Sequence, residues 1–289
     1  MSEQRTDPEA SPTTPPQRSR SAGRNLAAAI AVGLLLGGSV IAVLVVYPPG
    51  FVLVVALAVV LSLWELIRAM DAREVAPPLV PLLLGSLAMI TLAYLRGPAG
   101  LVVAFMLTVL ACLIWRLADG AGGYLRDVST TVFIAAYLPL LAGFAVLLVV
   151  PEDGGARVIT FIATVVCSDV GGYLAGVLVG RHPMARSISP KKPWEGFAGS
   201  VLLAGAAGAV FFVVFFDGVW WQGAGYGLAI AAAATLGDLG ESMLKRDLGI
   251  KDMGSLLPGH GGLMDRMDSL LPAAAVAWLL LTALVPPML

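Results

Sequence analysis

The sequence predicts an all-α, polytopic integral membrane protein with about nine transmembrane helices and a cytoplasmic N-terminus. Three observations support this prediction. Hydrophobic residues make up 58% of the 289-residue chain and charged residues only 13%, whereas soluble domains carry about 25% charged residues. Apolar runs that approach or exceed the roughly 20 residues needed to cross a bilayer recur along the chain. Lys, Arg, Asp and Glu stand mostly between these runs, where their cost in lipid is avoided.

The chain divides into three predicted regions. Residues 1–25 are rich in Pro, Ser, Thr and Arg and contain no apolar run, so we expect a disordered cytoplasmic tail. Residues 26–155 should form the N-terminal transmembrane helices, and residues 156–289 a C-terminal transmembrane region that carries the polar motifs. The first apolar run, Leu26–Val46, is too long for the core of a signal peptide and should be a spanning helix.

Eight further apolar runs follow, and helix-breaking Pro and Gly residues separate several of them. The runs are Phe51–Ile67, Pro78–Leu95, Leu101–Leu117, Val128–Val150, Val158–Val179, Phe197–Phe216, Trp221–Leu239 and Leu270–Leu284. When nine helices are threaded from a cytoplasmic N-terminus, all but Arg96 and Arg157 of the 18 Lys and Arg residues lie on the cytoplasmic side. We therefore expect a multi-pass protein of the cell membrane whose two polar segments face the cytoplasm. A net charge of -1 gives no indication of a nucleic-acid partner.

The first polar segment, Ser168–Gly196, begins inside a predicted helix. Asp169 lies about three turns from the cytoplasmic end of that helix, and an ionised carboxylate at this depth should face a polar cavity, a cation or a metal. Four glycines follow it on the same helix and indicate close helix packing: Gly171, Gly172, Gly176 and Gly180. In the loop beyond, Ser189, Lys191 and Lys192 would suit an anionic ligand, although lysines also flank spanning helices on the cytoplasmic side.

The second polar segment, Thr235–Leu271, holds the densest group of charges. Asp238, Glu241 and Lys245 recur at helical spacing and share one face, and Asp265 and Asp268 would do the same on a helix that starts near Met264. These carboxylates would also suit an amphipathic interfacial helix with solvated charges. Against that interpretation, a turn between the two helices carries three glycines beside a histidine, at Gly259, His260, Gly261 and Gly262. Glycine-rich turns let backbone N–H groups approach phosphate, and carboxylates beside Lys and Arg suit metal-assisted phosphoryl or nucleotidyl transfer.

The run from Ser242 to Asp268 resembles the signature of the phosphatidate cytidylyltransferases, the CDP-diacylglycerol synthases. It reads S-x-x-K-R-x4-K-D-x-G-x2-L-P-G-H-G-G-x2-D-R-x-D, and more than a dozen positions agree. The Ser189–Gly196 loop, S-P-x-K-x-W-E-G, resembles a second block of the same family, with Pro193 in place of a small polar residue. The helices before about Ala156 match only in being hydrophobic.

This resemblance implies the reaction of phosphatidic acid with CTP to give CDP-diacylglycerol and pyrophosphate, with Mg²⁺ as the cofactor. An acidic metal site would be formed by Asp265, Asp268 and Asp238, with Asp169 either completing it or binding a second cation. The predicted contacts to triphosphate or lipid phosphate are Lys192, Lys245, Arg246, Lys251 and Arg266, with Ser189 and Lys191 nearby and the Gly259–Gly262 turn around a phosphate. His260 either donates to that phosphate or caps the turn. The resemblance is also compatible with a homodimer, although no interface can be named from the sequence.

Two alternatives remain open from the residues alone. A CTP-dependent lipid or polyprenol kinase would need similar groups for phosphate and metal, and it would transfer the γ-phosphoryl group and leave CDP. An ion-coupled transporter would use Asp169 as its coupling carboxylate. Transporters concentrate polar residues near the bilayer midplane, whereas most polar residues here lie at helix ends and in loops.

Overall fold

The computed structural model describes residues 35, 37–70, 75–185, 188–254, 256 and 261–285. Within these ranges the chain is almost entirely helical, with one two-stranded antiparallel hairpin. The helices are α1 (Gly37–Val46), α2 (Phe51–Met70), α3 (Leu79–Leu117), α4 (Tyr124–Ala135), α5 (Leu141–Val149), α6 (Gly154–Val179), α7 (Trp194–Phe216), α8 (Trp220–Leu248), α9 (Met264–Met267) and α10 (Leu270–Leu284). The strands are β1 (Pro183–Ala185) and β2 (Ser189–Pro193). A π-helical turn, Ala136–Leu140, joins α4 to α5.

Six helical segments in the described ranges are long and apolar enough to cross a membrane, so the protein is a multi-pass membrane protein. They are Pro48–Met70, Leu79–Leu117, Tyr124–Val149, Gly154–Val179, Trp194–Phe216 and Met264–Leu284. Helix α8 is less apolar, because glycines and Gln222 interrupt its first half and charged residues occupy its last turns. The predicted tail and the first part of the predicted helix Leu26–Val46 lie outside the described residues, and the count of nine spans stays a prediction.

Helix α3 is a hairpin of two antiparallel arms. Its backbone leaves the helical conformation at Gly97, which has φ 65° and ψ -154° directly before Pro98, and proline is a common cause of such breaks. The arms touch at Gly85 and Thr108, where a Cβ added to the glycine would stand 2.2 Å from Thr108 Oγ1. The two arms correspond to the separate apolar runs expected at Pro78–Leu95 and Leu101–Leu117.

Small residues allow α6, α7, α8 and α10 to pack closely, as helices do in membranes where apolar burial alone does not drive association. A Cβ on Gly171 of α6 would lie 2.4 Å from the carbonyl oxygen of Gly199 on α7. One turn away, Ser200 Oγ donates a hydrogen bond of 2.7 Å to the carbonyl of Ser168. The interpretation of the Gly171 and Gly172 region as a packing surface is therefore confirmed.

Arg157 fastens the bundle at the end of α6 that lies farthest from the charged segments. Its guanidinium is buried and bonds Asp153 Oδ1 at 2.7 Å. It also donates to the carbonyl oxygens of Leu281 and Val285, at 3.2 and 2.7 Å, where α10 ends. Because a buried cation is costly unless it is paired and hydrogen-bonded, these contacts fix α10 against α6 and thereby help to hold the opposite, charged end of both helices together.

Candidate active site

A cavity of about 800 Å³ opens among the ends of α6, α7, α8 and α9 and the β1–β2 hairpin. Both polar segments contribute to its wall, although most of α7 and the first half of α8 separate them in the chain. The charged residues that line it within the described ranges are Asp169, Lys192, Asp238, Lys245, Asp252, Asp265, Arg266 and Asp268. The cavity therefore brings together eight charged side chains from α6, β2, α8 and α9 and from the segments on either side of α9.

The hairpin carries Lys192 to the carboxylates of α8. Pro183 pairs with Pro193 and Ala185 with Ser189, so strand β2 runs back toward the start of α7. Glu195, in the first turn of α7, holds the start of this hairpin by accepting the N–H groups of Arg181 and His182 at 3.2 Å each. The Lys192 ammonium forms an ion pair with Asp238 Oδ2, which joins the first polar segment to the second.

Asp238 and Asp268 form a pair of neighbouring carboxylates in the cavity. The two lie close enough for their charges to interact, and Glu241 lies close to Asp268 as well. Asp268 Oδ1 also accepts the backbone N–H of Ser269 at 2.7 Å. Helices α8 and α10 meet closely here, since a Cβ on Gly237 would stand 2.1 Å from the Asp268 carbonyl oxygen. The pairing of these two acids is thus a direct result of how the two helices pack.

Asp265 has other partners, and they occupy both of its oxygens. Oδ1 accepts Lys245 Nζ at 2.9 Å, and Oδ2 accepts the backbone N–H groups of Met253 and Gly262 at 3.0 and 2.8 Å. Its carboxylate therefore ties together the end of α8 and the two sides of the loop that precedes α9.

Lys245 lies between two carboxylates at the end of α8. Its Nζ is 2.9 Å from Asp265 Oδ1 and 3.3 Å from Oε2 of the fully buried Glu241. Partial burial acts to lower the pKa of Lys245, but the hydrogen bonds and charges of the two carboxylates outweigh it and raise the pKa above its ordinary value. The ammonium therefore stays protonated, and it remains a fixed positive charge at the cavity wall.

Glu65 is a residue of this region that sequence reasoning missed, because it lies in the N-terminal half, within the apolar run of α2. It is only 1% exposed, and its Oε2 accepts the backbone N–H of Met264 at 2.9 Å. A signal was present in the sequence, since an acid within a membrane-spanning run generally marks a functional position.

The remaining predicted residues divide into three groups. Gly261 and Gly262 lie shortly before α9 and beside Asp265, and Gly261 has a φ of 82° that favours glycine. Ser189 and the backbone of Lys191 lie in β2, while Arg246 and Lys251 are exposed and outside the cavity wall. Gly259 and His260 lie outside the described residues.

The cavity suits a divalent cation that is shared with a phosphate ligand. No group of three or more His, Cys, Asp or Glu side chains in the described ranges is arranged as a metal cage. Mg²⁺, however, is usually held by one or two carboxylates together with substrate phosphates. Asp238 and Asp268, which line the same cavity, provide such a pair, since two neighbouring anionic groups are stabilised by a cation between them. Asp265 is less suited, because its lone pairs already accept hydrogen bonds.

Comparison with known proteins identifies a family and relatives, some of which match most of the chain. A family model described as the cytidylyltransferase family matches residues 27–284. A protein of Mycobacterium leprae named phosphatidate cytidylyltransferase is 47% identical over 280 residues, which cover 91% of this chain and 89% of that protein. A protein of the same name from Mycobacterium tuberculosis H37Rv is 46% identical over 93% of this chain and 86% of its own length. Another from Helicobacter pylori 26695 is 42% identical over 47% of this chain and 52% of its own length.

Proposed function

The chain belongs to the cytidylyltransferase family, and from that premise we propose that its cavity is where CTP and phosphatidic acid react to give CDP-diacylglycerol and pyrophosphate. Relatives that share nearly half of its residues over most of its length are named phosphatidate cytidylyltransferases. One observation carries the assignment of the reaction to this cavity. The cavity gathers the ammonium and guanidinium groups of Lys192, Lys245 and Arg266 beside the Asp238 and Asp268 carboxylates, at the ends of membrane helices.

The reaction joins two anions and therefore needs positive charge, which the three cations of the cavity would supply together with a metal ion held by its carboxylates. An oxygen of the lipid phosphate attacks the α-phosphorus of CTP, the bond from that phosphorus to the bridging oxygen of the β-phosphate breaks, and pyrophosphate leaves. The attacking phosphate monoester is already ionised near neutral pH, so no strong general base is needed. Neutralisation of the repulsion between the two substrates is the main task, as in other phosphoryl transfers.

Each charged group in the cavity then has a role. Lys245, held between Asp265 and Glu241, presents a fixed charge to the triphosphate, and Lys192 and Arg266 bind phosphate oxygens from the other walls. Asp238 and Asp268 would hold the magnesium ion, which when bound would neutralise charge on the CTP phosphates. Asp169 faces the same space from α6 and would bind a second cation or complete the first site. Asp265 organises the loop and Lys245, a role that differs from the metal ligation expected from its position in the motif.

The placement of the site in the membrane follows from the same proposal. We place the cavity on the cytoplasmic side of the cell membrane, with the chain crossing about nine times, because Lys and Arg concentrate in the segments around it. CTP reaches the cavity from water, and the lipid reaches it from the bilayer, past the exposed Tyr173 and Val177 of α6 that also line it. A homodimer stays a prediction from the family resemblance.

The test uses purified protein in detergent–lipid micelles with phosphatidic acid, Mg²⁺ and CTP labelled separately at the α and γ phosphates. The proposal predicts that the α label enters the lipid and that the γ label leaves as pyrophosphate. Entry of the γ label into lipid would identify a kinase instead. If neither label moves, the catalytic assignment is wrong, and ion-coupled transport by Asp169 becomes the reaction to assay.

A further inference from the structure

Two described parts of the loop before α9 meet at a carboxylate that comes from the N-terminal half of the protein. The described parts of this loop, which joins α8 to α9, end near Gly254 and near Gly262, and these two ends meet: a Cβ on Gly262 would stand 2.8 Å from the backbone nitrogen of Gly254. The carboxylate of Glu65 lies between them. An added Cβ would stand 2.1 Å from Oε1 at Gly254 and 2.6 Å from Oε2 at Gly262. Only glycine fits at either end while Glu65 keeps its place.

Glu65 also fixes the start of α9 by a direct hydrogen bond. Its Oε2 accepts the N–H of Met264 at 2.9 Å, and both groups are buried. Met264 is followed at once by Asp265, whose carboxylate holds Lys245. The chain of contacts therefore runs from α2 through one backbone N–H to the carboxylate that positions a cation of the cavity. Glu65 itself is not part of the cavity wall.

Filling of buried space does not by itself explain why this residue is a glutamate. A carboxyl group in a membrane-spanning helix is costly, and an apolar side chain of similar size would fill the same volume without that cost. A second contact between the same elements is weak: Ser62 Oγ, nearly one turn earlier on α2, lies 3.3 Å from Met267 Sδ, and thioether sulfur is a poor acceptor. The distinctive contribution of Glu65 is an acceptor for Met264 N–H placed between the two ends of the loop.

We propose that Glu65 is a positioning residue for cytidylyl transfer, which acts through Met264 and Asp265 to hold Lys245 where it meets the CTP triphosphate. The inference rests on the proposed function. It assigns a role to a helix that carries none of the sequence motifs, and it makes the N-terminal half part of the active-site architecture. Loss of the acceptor should move the loop and Lys245 together, and thereby weaken the hold on CTP while the lipid-facing side of the cavity is unchanged.

The first test separates hydrogen bonding from space filling. Glu65→Gln keeps an acceptor for Met264 N–H, whereas Glu65→Leu fills the volume without one. Groups that orient the ligands of a site typically contribute about 10- to 100-fold, so we expect kcat/KM for CTP to fall by that factor in Glu65→Leu and to stay within about threefold of wild type in Glu65→Gln. Ser62→Ala, on the same face of α2, is the matched control and should behave as wild type.

The kinetic constants distinguish positioning from loss of folded protein. Partial unfolding lowers the apparent kcat and leaves both KM values unchanged, whereas displacement of Lys245 raises the KM for CTP and leaves that for phosphatidic acid unchanged. Hydrogen exchange of the peptide that contains Met264 should also be faster in Glu65→Leu than in Glu65→Gln. An active Glu65→Leu enzyme with wild-type KM for CTP would overturn the inference, while an inactive wild-type enzyme would instead refute the proposed function.

A double-mutant cycle tests the loop contact independently. The atoms nearest to a Cβ on Gly254 are Oε1, Cδ and Cγ of Glu65, and Glu65→Ala removes all of them. Gly254→Ala should therefore lower kcat/KM for CTP about tenfold or more in the wild-type background, because overpacking shifts the loop, and have little further effect in the Glu65→Ala background. Equal effects of Gly254→Ala in both backgrounds would show that the carboxylate does not hold the loop.

Discussion

Replacement of Asp265 by Asn tests the proposal that Asp265 organises the loop and Lys245, whereas Asp238 and Asp268 bind the metal. Asp265 Oδ1 accepts Lys245 Nζ, and Oδ2 accepts the N–H of Gly262. The amide of Asn offers one acceptor and one donor edge. Whichever way it is turned, either Lys245 or Gly262 then faces an NH₂ group and loses its acceptor.

The size of the effect follows from that lost acceptor. A buried donor left without a partner costs about 1–3 kcal/mol. We expect this cost to oppose the arrangement of Lys245 that the reaction needs. Since about 1.4 kcal/mol corresponds to a tenfold change in rate, kcat/KM should fall roughly 5- to 150-fold. Initial rates of CDP-diacylglycerol formation measure this loss, and Asp247→Asn, at an exposed acid of α8 two residues from Lys245, is the control.

A magnesium titration decides between loop organisation and metal ligation. If Asp265 organises the loop, more Mg²⁺ does not restore the rate of Asp265→Asn, because the missing acceptor is not a metal ligand. Two results would refute the reasoning: a rate within about twofold of wild type, which is less than the cost of one unsatisfied donor, or recovery of the full rate at raised Mg²⁺.

Three further predictions concern the metal pair, the hairpin lysine and the packing behind the site. Asp238→Asn and Asp268→Asn should each raise the Mg²⁺ concentration for half-maximal rate about tenfold or more, measured by titration at saturating CTP; an unchanged requirement would contradict the metal assignment. Lys192→Gln should lower kcat/KM about tenfold and Lys192→Arg less, since charge at the phosphates is the main contribution; initial rates measure this, and equal losses in the two variants would argue against it. Gly237→Ala should lower the free energy of unfolding by roughly 1–3 kcal/mol through overpacking, and the thermal unfolding midpoint with it, because its Cβ would stand 2.1 Å from the Asp268 carbonyl oxygen just before α10. A Cβ at Gly240 meets nothing within 4 Å, so Gly240→Ala should not lower the midpoint. Equal midpoints for the two glycine variants would show that α10 can shift to accommodate the added methyl group.

Much of the fold could be predicted because membrane helices can be recognised from the length and hydropathy of apolar runs. The arms of α3 and the helices α6, α7 and α10 match predicted apolar runs closely. Helix α8 extends to Leu248, well beyond the run expected to end at Leu239, since helical propensity and the contacts of its charged face continue the helix after the apolar stretch has ended. The β1–β2 hairpin was not predicted, because its proline-containing strands are short and show no alternating pattern.

The sequence predicted which residues form the candidate site better than it predicted the contacts between them. The sequence identified the family and indicated Asp169, Lys192, Asp238, Lys245 and Asp268 as site residues, and all of them line one cavity. It could not separate Asp265 from the other acids, because motif spacing does not reveal which backbone N–H groups a carboxylate will accept. Glu65 was missed for a related reason: its partner, Met264, is 199 residues away along the chain.

The sequence by itself determined that this is a membrane protein, which family it belongs to and which charges it keeps out of lipid. These properties depend on composition, run length and local spacing, and each can be read within one segment. Only the tertiary structure decided which charges meet, that Lys192 pairs with Asp238, that Asp268 adjoins Asp238, and that an acid of α2 accepts the N–H of Met264. Such relations depend on which helix faces pack together, and packing between distant segments follows from the shapes of small-residue surfaces that no single periodicity encodes.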